Sequence, residues 1–292
     1  MIVSVASGKG GTGKTTVTAS LVSIWETKIL AVDLDVEEPN LHLFLNPQIE
    51  EHSTAGLEIP VLNLTQCNLC SKCVDLCQFK AITMMGKFVM TFPEMCHGCG
   101  GCLAICPEEA LTPGTRELGE IHRGHVGKTD FIMGRIRIGE AMSPPLMNQI
   151  KNEIREKIKQ EPMDVIIDAS PGVSCPAVTS VIDSDIIVLV TDATPFGFHD
   201  FSLAWEAFSP FGKPMGVVVN RAGVGNDEVY RFCKDKKLPI LAEIPFDRGI
   251  AEAYSQGRII ADVSDSLHDL FVSLQHRIQD LAAGRLQEVS HA

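Results

Sequence analysis

Residues 6–16, ASGKGGTGKTT, could bind the phosphates of a nucleotide. They contain the pattern G-x-x-x-x-G-K-[ST], formed by Gly8, Gly13, Lys14 and Thr15. In such a loop, glycines let backbone N–H groups surround the phosphates, the lysine neutralises phosphate charge, and the hydroxyl binds Mg²⁺. The residues expected to bind the nucleotide are Gly8, Gly10, Gly11, Thr12, Gly13, Lys14, Thr15 and Thr16.

A cysteine pattern that occurs twice could bind iron–sulfur clusters. Eight of the ten cysteines lie in CNLCSKCVDLC and CHGCGGCLAIC, and both segments have the spacing C-x₂-C-x₂-C-x₃-C. Thiolates two residues apart can hold one face of a [4Fe–4S] cluster, and the fourth cysteine of each run then binds the other cluster. The predicted ligands are Cys67, Cys70, Cys73 and Cys106 for the first cluster, and Cys96, Cys99, Cys102 and Cys77 for the second.

Zinc and disulfides are the alternatives for these cysteines. Structural zinc sites typically use two separated C-x₂-C pairs, and the three-plus-one spacing does not have that form. In a reducing compartment, a dense cysteine pattern more often binds metal than forms disulfides. The two runs resemble those of a bacterial two-cluster ferredoxin. The first run departs from that pattern because Gln78 follows its last cysteine, whereas Pro107 follows the last cysteine of the second run.

The elements that must position these residues alternate along most of the chain. Short segments rich in Val, Ile and Leu are apolar on both faces, as strands of a covered parallel sheet are, and helix-length segments separate them. The pattern predicts an α/β fold with a doubly wound, mostly parallel sheet. The predicted strands are residues 2–6, 29–33, 164–168, 185–191, 215–220 and 239–244, and the predicted helices are 14–26, 145–159, 200–208 and 226–237.

Residues 58–112 interrupt this alternation and contain both cysteine runs. They are predicted to form a small inserted α+β ferredoxin-like domain. The remaining residues, 1–57 and 113–292, then form the nucleotide-binding domain. Within it, residues 113–143 are expected to contain strands and their turns, and the amphipathic segment 270–289 is expected to pack on the core.

The phosphate loop contains a second lysine, Lys9, that the general pattern does not require. The segment KGGTGKT resembles the deviant Walker A motif of the MinD/ParA family of P-loop ATPases, which includes the nitrogenase iron protein and Mrp-type carriers. The resemblance implies an ATP-dependent homodimer with two ATP molecules between the subunits. It also implies that Lys9 contacts the ATP bound by the other subunit, where it would stabilise charge on the transferred phosphoryl group as an arginine finger does.

Two acidic residues in AVDLDVEEPN extend this resemblance. In the family, acids at the positions of Asp33 and Asp35 lie near the γ-phosphate, where they orient the attacking water or bind Mg²⁺ through water. Which of the two performs which role is open. The segment that follows, residues 36–40, would be a nucleotide-sensing switch.

Two later segments also match the family. In DVIIDASPG, Asp168 would hold the Mg²⁺ shell and Gly172 would sense the γ-phosphate through its N–H, and in VVVNRAG, Asn220 would recognise adenine. Cys175 follows the first of these segments, and it is either a contact to a cluster or metal or a small buried residue of the second switch. Cys233 is expected to fill the core. The predicted catalytic residues are Lys9, Lys14, Asp33, Asp35 and Asp168.

Composition limits the classes of partner. The chain has 292 residues, a formal net charge of −12 and 45% hydrophobic residues. The acidic balance argues against a general nucleic-acid binder, which usually has a basic patch. The sequence has no apolar run long enough to span a membrane, and its first residues lack the basic and apolar regions of a signal peptide. We therefore expect a cytoplasmic protein without a membrane anchor.

Three functions fit these motifs. The first is ATP-gated electron transfer through the two clusters to an unknown redox partner. The second is assembly or delivery of iron–sulfur or other metal cofactors to an accepting protein. The third is a positioning switch with redox-sensing clusters. The closed pattern of eight ligands favours electron transfer over the other two functions. A carrier would need a labile exposed site instead, and a positioning switch would need a membrane or DNA anchor.

Overall fold

The structure, a computed structural model, describes residues 1–286. The strands are β1 (Ile2–Ala6), β2 (Ile29–Asp33), β3 (Gln48–Leu62), β4 (Ile82–Met85), β5 (Phe88–Thr91), β6 (Leu111–Val126), β7 (Thr129–Ile136), β8 (Asp164–Asp168), β9 (Ile186–Asp192), β10 (Met215–Ala222) and β11 (Ile240–Pro245). The helices are α1 (Lys14–Ile24), α2 (Leu41–Leu45), α3 (Lys72–Leu76), α4 (Gly101–Ile105), α5 (Pro144–Gln160), α6 (Cys175–Val181), α7 (Pro195–Phe208), α8 (Glu228–Lys236), α9 (Arg248–Ser255) and α10 (Asp265–Ala282).

The larger sheet is parallel over most of its width. Its strand order is β11-β10-β9-β1-β8-β2-β7-β6-β3, and all neighbours from β11 to β7 are parallel. Val5 of β1 and Asp33 of β2 both lie opposite Asp168 of β8. This confirms the predicted α/β fold with a mostly parallel sheet. It also brings the loops after β1, β2 and β8 together at the carboxyl edge, where open α/β sheets bind ligands.

Strands β6 and β3 continue the sheet in antiparallel orientation. They form a long hairpin that crosses the domain boundaries predicted at residues 58 and 112. Strand β3 is not among the strands predicted from the sequence, because its first residues, 48–52, are mostly polar and lie exposed at the edge of the sheet. The expected strands within 113–143 are present, since β7 pairs with β6 there. A separate two-stranded sheet of β4 and β5 lies between the two arms of the hairpin in sequence.

Helices cover both faces of the larger sheet. On one face, α1 and α10 bury Leu21 and Phe271 against the central strands. On the other face, α6 and α7 bury Val181 and Phe201, and α5 buries Ile150 against β7 and β6. Strands buried on both faces cannot alternate polar with apolar residues, and this is why their sequences are continuously apolar.

Two helix predictions can be compared in detail. Helix α7 begins at Pro195 and not near residue 200, because the Thr194 side chain caps it by accepting a hydrogen bond from Gly197 N at 3.1 Å. The expected core packing of the segment 270–289 is confirmed for its described part, where Ile278 is buried in α10; its last three residues lie outside the described range. No helix within residues 1–286 is long and apolar enough to cross a membrane.

Candidate functional site

The predicted phosphate loop connects β1 with α1. Gly11 and Gly13 have φ angles of 77° and 94°, a region that glycine enters without steric cost. A side chain at Gly13 would also overlap the amide of Asn220, whose Nδ2 donates to the Thr12 carbonyl oxygen at 2.7 Å. Helix α1 begins at Lys14, so the N–H groups of its first turn are directed toward the loop. The loop therefore has the backbone geometry of an anion site.

Charged residues converge beside this loop. Lys14 Nζ lies 2.9 Å from Asp168 Oδ1 and 3.6 Å from Asp35 Oδ2. Thr15 Oγ1 donates to Asp168 Oδ2 at 2.7 Å, and Thr18 Oγ1 donates to Asp168 Oδ1 at 2.9 Å. Thr18 is not among the site residues predicted from the sequence. Its position one helical turn after Lys14 could have indicated that it faces the same carboxylate.

Asp33 and Asp35 add two more carboxyl groups to this cluster. Asp33 is fully buried, and its carboxylate accepts hydrogen bonds from Asp35 N at 3.0 Å and Leu41 N at 2.9 Å. Burial raises the pKa of Asp33 well above its ordinary value, and the nearby Asp168 carboxylate adds to the rise. Burial also raises the pKa of Asp35 to about 6, although Lys14 opposes that rise.

The cluster is short of positive charge. Burial alone would lower the pKa of the Lys14 ammonium, but the surrounding aspartates, Asp168 foremost, raise it above the ordinary value. One ammonium thus faces three buried carboxyl groups. A divalent cation that binds oxygen ligands would neutralise the excess negative charge, so the residues present fit a Mg²⁺ site.

Asp35→Asn is expected to stabilise the protein at neutral pH. The folded protein holds the Asp35 proton more tightly than the unfolded chain, whose carboxyl pKa is about 3.8, so the ionised side chain costs stability above pH 6 and not below pH 3.8. The variant removes this cost, which is up to about 3 kcal/mol for a shift of about two pKa units. Denaturant unfolding should show a gain over wild type at pH 7.5 that shrinks toward pH 4.

Asp183→Asn is the matched control with the opposite sign. Partial burial raises the pKa of the Asp183 carboxyl, but Lys151 at 2.8 Å and Arg155 at 2.5 Å lower it below the ordinary value. The ionised form therefore stabilises the fold above its pKa, and Asp183→Asn should lose stability at pH 7.5. An Asp35→Asn variant that also loses stability at pH 7.5 would contradict the inferred pKa of Asp35.

Lys9 lies on the outer side of the loop, apart from the buried charges. Its Nζ is 3.8 Å from Asp200 Oδ2, and its side chain is 31% exposed. Ser7 Oγ donates to the Lys9 carbonyl oxygen at 2.8 Å, and Gly8 lies so close to the α7 backbone at Asp200 that a side chain would overlap it. Gly10 has open space around it, so the outer part of the loop faces solvent. The contact of Lys9 with nucleotide on another subunit stays a prediction.

The loop after β8 contains the second predicted switch. Gly172 has a φ angle of 90°, and its N–H donates to the Ser7 carbonyl oxygen at 2.8 Å, so it contacts the start of the phosphate loop. Cys175 begins α6 and is exposed. The expectation of a small buried residue at Cys175 is therefore wrong. Helix α6 packs on the core through Ala177 and Val181, and its first residue lies outside that contact.

The predicted cluster ligands belong to the chain segment that connects β3 to β6, and they lie in two groups. One cavity is lined by Cys67, Cys70, Cys73 and Cys106. A second cavity is lined by Cys77, Cys96, Cys99 and Cys102. The fourth cysteine of each run thus lies with the first three cysteines of the other run. The tenth cysteine, Cys233, is buried in the core beside α7 and β10, as expected for a core residue.

The sulfur atoms of the two fourth cysteines accept equivalent hydrogen bonds. Ala81 N donates to Cys77 Sγ, and Ala110 N donates to Cys106 Sγ, both at 3.3 Å. Bonds from backbone N–H groups to cluster sulfurs and their ligands stabilise the anionic cluster and tune its potential. The two fourth cysteines therefore each have a backbone N–H donor directed at their sulfur atom.

The backbone of the two runs also repeats. Leu69 and Ser71 have φ angles of 59° and 62°, and the residues 29 positions later, Gly98 and Gly100, have φ angles of 66° and 71°. Helices α3 and α4 follow at the same offset. Leucine and serine rarely adopt positive φ, so the first run retains the conformation at a cost that glycine avoids in the second.

The thiols interact within each group. Burial raises the pKa of Cys73, and the neighbouring Cys106 and Cys67 add to the rise. Burial likewise raises the pKa of Cys102, with a contribution from Cys96. Within residues 1–286, no three His, Cys, Asp or Glu side chains are arranged to hold one metal ion. A [4Fe–4S] cluster distributes its four thiolates over four iron atoms, so its ligands lie farther apart than those of one ion.

Sequence comparison identifies relatives of the whole chain and of a short part of it. The chain is 33% identical over 285 residues to the uncharacterized protein MJ0578 of Methanocaldococcus jannaschii, which covers 95% of this chain and 98% of that protein. It is 36% identical over 56 residues to the ketoisovalerate oxidoreductase subunit VorC of Methanothermobacter marburgensis, which covers 17% of this chain and 71% of that subunit.

The fold is similar to a solved nucleotide-binding protein. The septum site-determining protein MinD from Pyrococcus horikoshii, solved with Mg-ADP, superposes with a TM-score of 0.60 at 21% identity over 98% of this chain and 99% of that one. Identity this low shows the fold alone. The stronger finding is that residues 3–260 match the family model of the CobQ/CobB/MinD/ParA nucleotide binding domain. The chain therefore belongs to the CobQ/CobB/MinD/ParA family of nucleotide-binding proteins.

Proposed function

We propose that this protein is an ATP-hydrolysing switch that carries two [4Fe–4S] clusters and transfers electrons to a partner protein. The observation that carries the proposal is the presence, in one chain, of a phosphate loop beside buried carboxyl groups and of two cavities lined by four cysteines each. The short match to VorC, which is named as an oxidoreductase subunit, supports a redox role.

The proposed domain organisation follows from the same features. Residues 58–112 would be a ferredoxin-like insert, and residues 1–57 and 113–292 would be the ATPase domain. One end of the β3–β6 hairpin lies in the larger sheet, and residues at its other end line both cysteine cavities. This arrangement supports a separate insert. The cysteines of each cavity would bind one cluster, which supplies a site for one-electron transfer when bound.

The phosphate loop would bind ATP with Mg²⁺. Lys14 would contact the β- and γ-phosphates, and the Thr15 hydroxyl would bind Mg²⁺. Asp168 Oδ2 accepts a hydrogen bond from Thr15 Oγ1 at 2.7 Å, which supports the proposal that Asp168 would hold a water of the same Mg²⁺ shell. Asn220 contacts the loop at Thr12 and would recognise adenine. The MinD structure with Mg-ADP supports this choice of ligand.

Asp35 is the better candidate to orient the attacking water. Both carboxylate oxygens of Asp33 already accept backbone N–H groups, so Asp33 anchors the switch segment to the end of β2. Asp35 is less enclosed, lies 3.6 Å from Lys14, and has a pKa of about 6, which is suited to accepting a proton near neutral pH. Lys9 would contact ATP across a homodimer, and Gly172 would report the γ-phosphate to the second switch.

The proposed function is tested by an EPR-monitored redox titration of anaerobically purified protein with and without MgATP. We expect about eight iron atoms per chain, two [4Fe–4S] signals, and a shift of about 30 mV or more in at least one potential on adding MgATP. Lys9→Ala should remove the shift, because it removes the proposed contact across the dimer. Asp200→Asn, which removes only the neighbour of Lys9 within the chain, should retain it.

Other outcomes would change the assignment. Fewer than two [4Fe–4S] clusters after full reconstitution would contradict the proposed insert. Equal potentials with and without MgATP would contradict coupling between nucleotide and clusters. That result would favour the second candidate function, which is delivery of a metal cofactor to an accepting protein. Exposed Cys175, close to Gly172 in the second switch, favours that candidate because a carrier needs an accessible ligand.

A further inference from the structure

We infer that Arg116 and Leu57 transmit the position of the nucleotide-sensing switch to the loop that holds the second cluster. These two residues lie opposite each other in the β3–β6 hairpin. The inference rests on the proposed function and deepens it, because it names the contacts through which nucleotide would influence a cluster. The connection has three parts: an attachment to the switch, a polar contact and an apolar contact.

The switch attaches to the segment that follows β7. Glu37 lies two residues after Asp35, and its Oε1 accepts a hydrogen bond from Ser143 Oγ at 2.9 Å. The carbonyl oxygen of the buried Val36 accepts a hydrogen bond from Ile136 N at 2.9 Å. Residues 36 and 37 thus hold both ends of the segment 136–143. A displacement of the switch would move this segment with it.

The polar contact starts from this segment. Glu140, whose side chain is 1% exposed, forms an ion pair with Arg116, which is 8% exposed. Glu140 Oε1 also accepts a hydrogen bond from Met142 N at 3.0 Å, next to Ser143. On its other side, Arg116 Nη2 donates to the carbonyl oxygen of Cys96 at 3.5 Å. Arg116 therefore joins the segment fastened to the switch with a predicted ligand of the second cluster.

The apolar contact reaches the same cluster loop. Leu57 packs against the buried residues that include Val36 and Leu118. Its Cδ1 lies only 2.5 Å from where a side chain at Gly98 would begin, so it contacts the backbone of the loop directly. Gly98 N in turn donates to Cys96 Sγ at 3.4 Å. A movement of Leu57 would change the position of a hydrogen-bond donor to the cluster ligand.

Both contacts transmit movement because neither can yield gradually. Separating a buried ion pair in a low-dielectric interior costs far more free energy than separating an exposed one. We therefore expect Glu140 and Arg116 to move together. Leu57 is held in a comparable way by close packing against the buried group of residues to which Val36 belongs. If nucleotide favours one position of the switch, the cluster loop follows. The coupling is reciprocal, so a change at the cluster loop would alter nucleotide affinity by the same factor.

Hydrogen–deuterium exchange of the full-length, anaerobically purified protein tests this inference. The probe is a non-hydrolysable ATP analogue with Mg²⁺, and the readout is its effect on deuterium uptake in peptides covering residues 36–45 and 95–103. In wild type we expect the analogue to reduce uptake in both. Arg116→Lys keeps a charge for Glu140 but cannot also reach the Cys96 carbonyl. It should retain the full change at 36–45 and lose at least half of the change at 95–103.

Two further variants sharpen the test. Leu57→Ala combined with Arg116→Lys should abolish the change at 95–103. Arg123→Lys is the matched control, because Arg123 lies on the same strand and pairs with Glu153 at 2.6 Å on α5. It should retain both changes.

The outcomes separate this inference from the proposed function. A full change at 95–103 in Arg116→Lys, or a wild-type change confined to 36–45, would overturn the inference. Wild-type protein without a change at either segment would overturn both the inference and nucleotide binding. Protein that holds no iron but shows the expected pattern would support the connection while contradicting the cluster part of the proposed function.

Discussion

Replacing Lys14 with methionine is expected to reduce ATP hydrolysis by about 10²- to 10³-fold and to lower the free energy of unfolding at pH 7.5 by about 3–5 kcal/mol. The Lys14 side chain is 6% exposed and lies 2.9 Å from Asp168 and 3.6 Å from Asp35. Methionine is similar in length but uncharged. The variant would leave three carboxyl groups in a buried site without a counter-charge, and it would remove the cation that is proposed to contact the phosphates.

The stability loss should depend on pH. Without Lys14, protonation of Asp33 or Asp35 is the remaining way to reduce repulsion, and burial raises the pKa of both groups even in wild type. The difference in stability between variant and wild type should therefore shrink between pH 7.5 and pH 5. Phosphate release measures hydrolysis, and denaturant unfolding followed by the fluorescence of Trp25 and Trp205 measures stability.

Lys28→Met is the matched control for Lys14→Met. Lys28 also pairs with two carboxylates, Glu161 at 2.9 Å and Asp130 at 3.4 Å, but its side chain is 42% exposed. Exposed pairs contribute little to stability because water and salt screen them. The control should hydrolyse ATP normally and unfold at nearly the wild-type denaturant concentration. If the two variants lost the same stability, the inferred charge balance of the buried cluster would be wrong.

Much of the parallel sheet could be predicted because its sequence signal is local. Strands β1, β2 and β8 are short apolar runs buried on both faces, and the bounds predicted for them agree with the structure. The phosphate loop is equally local, since its glycines, Lys14 and Thr15 are consecutive or nearly so. The grouping of Asp33 with Asp168 was implied by the family resemblance, and the pairing of β2 with β8 in the structure gives its physical cause. Residues at the carboxyl ends of adjacent parallel strands lie at one edge of the sheet.

The rest depends on contacts between distant residues, which leave no local pattern. Strand β3 has a polar beginning because it lies at the sheet edge, so periodicity did not reveal it. Arg116 and Glu140 are charged residue types that usually lie exposed, and only the fold shows that they are buried against each other. The exposure of Cys175 likewise depends on how α6 packs. A small side chain near a switch can face the core or the solvent, and the sequence does not specify which.

Double serine variants are expected to reveal which cysteines share a cluster. If the fourth cysteine of each run crosses over, Cys70 and Cys106 bind one cluster while Cys77 binds the other. The pair Cys70→Ser with Cys106→Ser should then lose one cluster and keep about four of about eight iron atoms. The pair Cys70→Ser with Cys77→Ser should damage both. If each run bound its own cluster, the two results would be exchanged.

The structure supports the crossed outcome because Cys106 lines the same cavity as Cys70, whereas Cys77 lines the other. Serine offers a harder oxygen ligand in place of a thiolate, so a cluster that loses two thiolates should not assemble stably. Iron and sulfide analysis with EPR of the reduced protein measures the result. Cys233→Ser, in a buried core position far in sequence from both runs, should keep both clusters. Loss of all iron in the Cys70–Cys106 pair would contradict crossed ligation, because the second cluster retains all four of its proposed ligands in that variant.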